Sequence, residues 1–151
     1  MLKAAQEIFD QAVAEKSLAL EVVKKLLGEI VDLLAKADTE MIRLCLEPYQ
    51  EGAYFTHHSV NVAILSLVIG PDYNFDKEEM RDLGLAALLH DIALARIKDS
   101  LNYPKQLTPD IQKEILEHPE KGAEMLRGLL PDDAVLAISQ HHESTDRKSV
   151  V

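Results

Sequence analysis

The chain of 151 residues has no tryptophan, only 5% aromatic residues, one cysteine, and six residues each of glycine and proline. Each scarcity excludes something. Cys45 alone can close no internal disulfide and build no thiolate cage of the kind that holds a structural zinc. It reads as a small half-buried core residue, and the expected compartment is the reducing cytoplasm. With no repeat, low-complexity tract or Gly/Pro-rich linker, the chain is expected to form a single domain over residues 1–151. Basic side chains are also in short supply: 16 Lys and Arg against 26 Asp and Glu give a formal net charge of −10. Such a surface repels a phosphate backbone, which argues against long nucleic acid as a partner. It does not exclude a small phosphorylated ligand, because a bound cation reverses the field inside a cleft. No stretch reaches the roughly 18 uncharged apolar residues of a membrane span. The opening "MLKAAQEIFDQ" also lacks the apolar segment of a secretory leader, so no membrane partner is expected.

What the chain does contain is apolar and helically spaced. Hydrophobic residues make up 47% of it, enough at this length to bury one sizeable core. They recur at i, i+3 and i+4 almost throughout, and no alternating run stands out, so the expected class is all-α. Helices are expected over residues 2–15 and 18–36. The second has Leu20, Val23, Leu27, Ile30 and Leu34 in one stripe, with Lys24, Lys25 and Glu29 off it. A short third helix follows Asp38, and a fourth spans 54–69 and stops at Gly70 and Pro71. Asp76 and Glu79 have the spacing of a capping box and open a fifth helix, which carries "AALLHDIALARI", residues 86–97. "NYPKQL" reads as a loop. Thr108 then caps a sixth helix with Pro109 in its first position, and Pro119 kinks or restarts that helix. A last helix begins near Pro131 and carries "AVLAISQHHE".

His90 and Asp91 stand side by side in the apolar run of the fifth helix. A lone histidine there is more often a satisfied core residue than a ligand. The aspartate is different, because a buried carboxylate costs several kcal/mol unless it is paired or binds a cation. Arg96, five positions on, lies about 140° around a helix at roughly 100° per residue, a poor direction for a pair. A metal ion meets the need better. The other histidines are His57, His58, His118, His141 and His142, so every helix from the fourth onward carries at least one. His58 is expected on an inward stripe with Val62, Leu65 and Ile69, with His57 diverging toward solvent. His118 should face inward with Ile111, Ile115 and Gly122. The adjacent His141 and His142 can both reach one cluster if their helix ends over it. Imidazoles mixed with a carboxylate suit iron, manganese or zinc.

Four blocks, "YFTHHSVNVAILSLVIG", "LGLAALLHDIALARI", "LTPDIQKEILEHPEKGAEML" and "ISQHHESTD", span residues 54–146. In order and spacing they resemble the HD superfamily of metal-dependent phosphohydrolases, and more closely its HD-GYP branch, the bacterial cyclic di-GMP phosphodiesterases. The resemblance implies a helical bundle of about six to seven helices, with residues 1–50 as N-terminal packing helices. It implies His58, His90, Asp91, His118, His141 and His142 as metal ligands, with Asp91 bridging two ions. His90 and Asp91 would lie at the catalytic centre. The implied cofactor is one or two divalent transition-metal ions, iron or manganese favoured and zinc allowed. The implied chemistry is attack of a metal-activated hydroxide on phosphorus, with a small nucleotide or cyclic dinucleotide as ligand.

The departures from the family pattern are specific. Where the family reads His-Asp-Ile-Gly-Lys, this chain has Ala93 and Leu94, so the lysine is missing. After "HHESTD" come Arg147, Lys148, Ser149 and two valines in place of the Gly-Tyr-Pro signature. Asp146 is not an obvious replacement for the later aspartate that completes the family's metal site. Two readings follow: a metal-dependent phosphohydrolase or phosphodiesterase in bacterial signalling, or a regulatory module that keeps metal and binds a ligand or partner without turnover. A reading without metal leaves Asp91 unexplained. An exposed apolar patch on the last helix, with self-association into a homo-oligomer, is a further expectation.

Overall fold

The computed structural model describes residues 1–14, 17–34, 54–102 and 108–143. Cys45, the short helix expected after Asp38, nearly all of the "NYPKQL" loop and Asp146 lie outside the described residues. The helices are α1 (Leu2–Val13), α2 (Leu20–Leu34), α3 (Tyr54–Ile69), α4 (Lys77–Leu89), α5 (Lys98–Asn102), α6 (Pro109–Leu126) and α7 (Asp132–Gln140). Two 3₁₀ segments, Gly70–Tyr73 and Ile92–Ile97, follow α3 and α4. The architecture is all-α, with no strand among the described residues.

Local chemistry sets the helix starts. Asp76 caps α4 by accepting from the N–H groups of Glu78 and Glu79, while Glu79 reaches back to the N–H of Asp76, completing the capping box. Thr108 caps α6 through the N–H of Ile111, with Pro109 in the first turn where its missing N–H costs nothing. The α2 stripe behaves as expected, with Leu20, Val23, Leu27 and Ile30 buried and Lys25 and Glu29 exposed.

Helix α4 is the hub and packs against α2, α3 and α7. At Gly84 an added Cβ would come within 3.1 Å of both Leu27 and Leu67, so the absence of a side chain lets α2 and α3 close on α4 there. Helix α1 holds the start of α3 in place. Phe9 meets Phe55 edge-on at 4.8 Å between centroids, and the Thr56 hydroxyl donates to Gln6 at 2.7 Å. Lys98 in turn bonds Asp10 at 2.6 Å, fixing the chain just beyond the second 3₁₀ segment against α1. The first turns of α3 and the end of α4 are thus held together over the core.

Three expectations are corrected. The run 86–97 is not one helix: α4 ends at Leu89, Asp91 adopts φ −102° and ψ 14°, and a 3₁₀ segment follows with the Leu94 N–H on the Asp91 carbonyl at 2.8 Å. Helix α6 runs unbroken through Pro119 rather than restarting there. On α3 the core face is Phe55, Ser59, Ala63, Ile64 and Leu67, whereas Leu65 is 43% and Ile69 52% exposed. That helix is apolar nearly all round, so periodicity could not choose between its faces. His57, like His58, is half-buried.

Candidate metal centre

Four segments deliver the polar residues to one place. His58 comes from the second turn of α3, His90 and Asp91 from the end of α4, His118 from α6, and His141 and His142 from just past the last turn of α7. The break after Leu89 is what makes the His90–Asp91 pair work. On a continuous helix neighbouring side chains diverge by about 100°, yet here His90 Nε2 and Asp91 Oδ2 come within 3.1 Å.

Asp91, only 9% exposed, lies at the centre. Its Oδ1 faces His118 Nε2 at 3.0 Å and His141 Nε2 at 3.5 Å, and its Oδ2 faces His90 Nε2 at 3.1 Å and His58 Nε2 at 3.7 Å. The carboxylate therefore divides its two oxygens between two sets of imidazoles. Among the described residues two groups have donor atoms close enough to share an ion, His58 with His90 and Asp91, and Asp91 with His118, His141 and His142. Asp91 belongs to both. His57 joins neither.

The rings are oriented by the backbone. Nδ1 of His90, His118 and His141 lies against the carbonyl three residues earlier, Ala87, Ile115 and Ile138 respectively. A carbonyl oxygen only accepts, so Nδ1 carries the hydrogen and a neutral ring turns the lone pair of Nε2 toward Asp91. Lone pairs would then face a carboxylate at 3.0 to 3.5 Å, and the Nε2 atoms of His118 and His141 face each other at 3.1 Å. Such an array needs positive charge at its centre. Protons on every ring would repel one another at this spacing, whereas one or two divalent cations satisfy all the lone pairs at once. The donor set of imidazoles and one carboxylate fits a transition metal.

In place of a cation, protons on Nε2 supply that positive charge. Burial alone would push the Asp91 carboxyl up, but its contacts with His118, His141 and His90 more than reverse that, so it is ionised. Burial pushes His58 and His142 down, toward the neutral form a ligand needs. Burial pulls His141 down as well, yet its contacts with Asp91 and the Ile138 carbonyl outweigh this and leave it raised. Tyr54, which the sequence did not single out, stacks on His58 with centroids 5.8 Å apart. Its signal was only its place four residues ahead on the same helix. The carbonyls of Ala87, Ile115 and Ile138 carry no sequence signal at all.

A cavity of about 390 Å³ opens beside the cluster, lined by His58, His90, His141 and His142 together with apolar residues such as Val62, Leu83 and Ala137. No lysine or arginine lines it among the described residues. Leu94, where the family resemblance puts a lysine, is buried in the core.

The model of the HD domain matches residues 55–149, more than half of the chain. The chain belongs to the HD domain family. This HD chain is similar to two curated bacterial proteins. It is 33% identical over 96 residues to a cyclic di-GMP phosphodiesterase of Pseudomonas aeruginosa, a match covering 62% of this chain and 23% of that protein. It is 28% identical over 148 residues to the cyclic di-GMP phosphodiesterase response regulator RpfG of Xanthomonas campestris pv. campestris, covering 93% of this chain and 38% of that protein. The HD chain thus spans well under half the length of either relative. No solved structure matches it. Among the described residues no helix is long and apolar enough to cross a membrane.

Proposed function

We propose that the chain is a metal-dependent phosphodiesterase of the HD family acting on a cyclic dinucleotide. The observation that carries this reading is the division of the Asp91 oxygens between the His58/His90 and His118/His141/His142 sets. His58, His90, Asp91, His118, His141 and His142 would hold two divalent ions, with iron or manganese favoured by the ligand types. Such ions, when bound, supply the Lewis acidity that activates water and stabilises charge on a transferring phosphoryl group. The chain supplies the rest. Asp91 would contribute a fixed negative charge to both donor groups, and the three Nδ1 contacts hold Nε2 of His90, His118 and His141 turned toward it. The adjoining cavity, lined by His58, His90, His141 and His142, would admit a phosphodiester to the cluster. Cyclic di-GMP is the first substrate to test, because both relatives are named for it.

A second reading has its own observation. The cavity has no lysine or arginine among the described residues, and Leu94 is buried where the resemblance puts a lysine. A chain that keeps the ligands and lacks that cation would bind metal and nucleotide without turnover. The two readings separate by experiment. Manganese- or iron-loaded protein, prepared without oxygen or chelators, is incubated with cyclic di-GMP and with a generic phosphodiester. Hydrolysis above that of a His90→Ala, Asp91→Ala variant supports the enzyme, and binding with no more hydrolysis than the variant supports the module.

A further inference from the structure

Beside the metal-centre cavity lies a second one of about 270 Å³, and the two share Leu83, Ala86 and Ala137 as lining. The two adjoin at those residues of α4 and α7, so that a ligand lying across them would use both as one groove, with imidazoles at one end and Phe75, Asp82 and Asp133 at the other. Asp82 and His90 are eight residues apart on and just past α4, roughly 12 Å at 1.5 Å per residue. That separation is about the reach of a nucleoside from its phosphate to the far edge of its base.

Among the described residues the far cavity has an apolar body with Phe75 as its aromatic wall, and its polar side chains are the carboxylates of Glu79, Asp82 and Asp133. Glu79 is already engaged, since its Oε2 accepts from the Asp76 N–H at 2.7 Å. Asp133 sits in the first turn of α7, where the helix N-terminus favours an acid whatever binds nearby. Neither reason for an acid applies to Asp82, half-buried in the second turn of α4, and Lys24, which attracts it, is bonded to Glu21 at 3.3 Å. A carboxylate only accepts hydrogen bonds. Guanine offers adjacent N–H donors on its Watson–Crick edge, and adenine offers a ring acceptor at the matching position.

We propose that this end of the groove is a base-recognition subsite, in which the Phe75 wall packs on a purine of the nucleotide held at the metal centre and Asp82 selects guanine over adenine. The assignment rests on the phosphodiesterase reading for the placement of the phosphate and adds the specificity-determining residue. The stacked neighbour of Phe75, Tyr73 at 6.0 Å between centroids, backs the wall. Stacking fixes the base without reading it, and Asp82 supplies the reading.

The test is calorimetric titration of the metal-loaded chain with cyclic di-GMP and with cyclic di-AMP, which differ only in the base. The guanine dinucleotide should bind more tightly. Asp82→Ala should weaken it by about tenfold to a hundredfold, the loss of a charge-assisted hydrogen bond, and leave the adenine dinucleotide unmoved. Phe75→Ala should weaken both. Metal content should be the same in all three proteins. Equal affinity for the two dinucleotides, no binding of either by metal-loaded protein, or a guanine affinity untouched by Asp82→Ala overturns the subsite. Guanosine against adenosine, with no phosphate to hold, reads the groove without the metal centre. A preference for guanosine lost in Asp82→Ala sustains the subsite even if the phosphodiesterase reading fails on metal content.

Discussion

Pro119 lies four residues after Ile115, and the Ile115 carbonyl that it leaves without a helical donor takes Nδ1 of His118 instead. In an ordinary helix the N–H at position 119 would compete for that oxygen. The proline removes the competitor and frees the acceptor that aims Nε2 at Asp91.

Pro119→Ala therefore has two opposite effects. An interior proline costs a helix about 3 kcal/mol, so the metal-free protein should melt at a higher temperature. The restored N–H then draws the Ile115 carbonyl away from His118, and affinity for manganese or zinc should fall by about tenfold. Thermal melting and chelator competition read the two effects separately. An affinity equal to that of the parent protein would show that His118 is oriented by packing alone.

The amphipathic pattern of α2, the capping box of α4 and the Thr108–Pro109 start of α6 were legible because each is a local signal that tertiary contacts do not oppose. Convergence of the histidines could be anticipated from one fact, that Asp91 in an apolar run needs a cation. The break at Leu89 could not. Nothing in "LLHDIALA" stops a helix, and only the structure shows that the turn which brings His90 and Asp91 side by side abandons helical geometry. The inward face of α3 was misread for the opposite reason. Its apolar residues surround the helix, and the choice of Phe55, Ser59 and Ala63 over Leu65 and Ile69 is made by α1 and α4.

The shared carboxylate makes a stoichiometric prediction. Asp91→Ala removes a ligand from both groups and should abolish bound metal. His58→Ala touches only the His58/His90 group, and His118→Ala only the other. Each of these should retain one ion against an expected two in the parent protein. Elemental analysis after anaerobic purification gives the numbers, and two ions retained in Asp91→Ala would refute the bridging role.

Acid should empty the two groups in order. A metal ligand must be deprotonated, so protons compete with the ion. His58 is pushed down by burial and gives up its proton at lower pH. His141 is raised on balance by Asp91 and keeps its proton to higher pH. His142 is pushed down like His58, but one protonated ligand is enough to weaken a site. As pH falls through the histidine range, around 6.5 for an unperturbed ring, His141 should therefore make its group the first to lose its ion. Metal content at stepped pH values, repeated in His58→Ala, distinguishes the two. Simultaneous loss in a single step would count against separate groups.

The position of Leu94 argues that the missing lysine cannot simply be put back. Leu94 is 6% exposed and belongs to the core, and its N–H already bonds the Asp91 carbonyl at 2.8 Å. Leu94→Lys would place an ammonium in the apolar core, at a cost of about 3 kcal/mol or more. For a chain of this size that corresponds to a fall in melting temperature on the order of 10 °C. The variant should therefore lose stability and gain no phosphodiesterase activity over the parent. If it melts at the parent temperature and hydrolyses cyclic di-GMP faster, the 3₁₀ segment can turn that side chain outward, and the buried leucine is a replaceable obstacle rather than part of the fold.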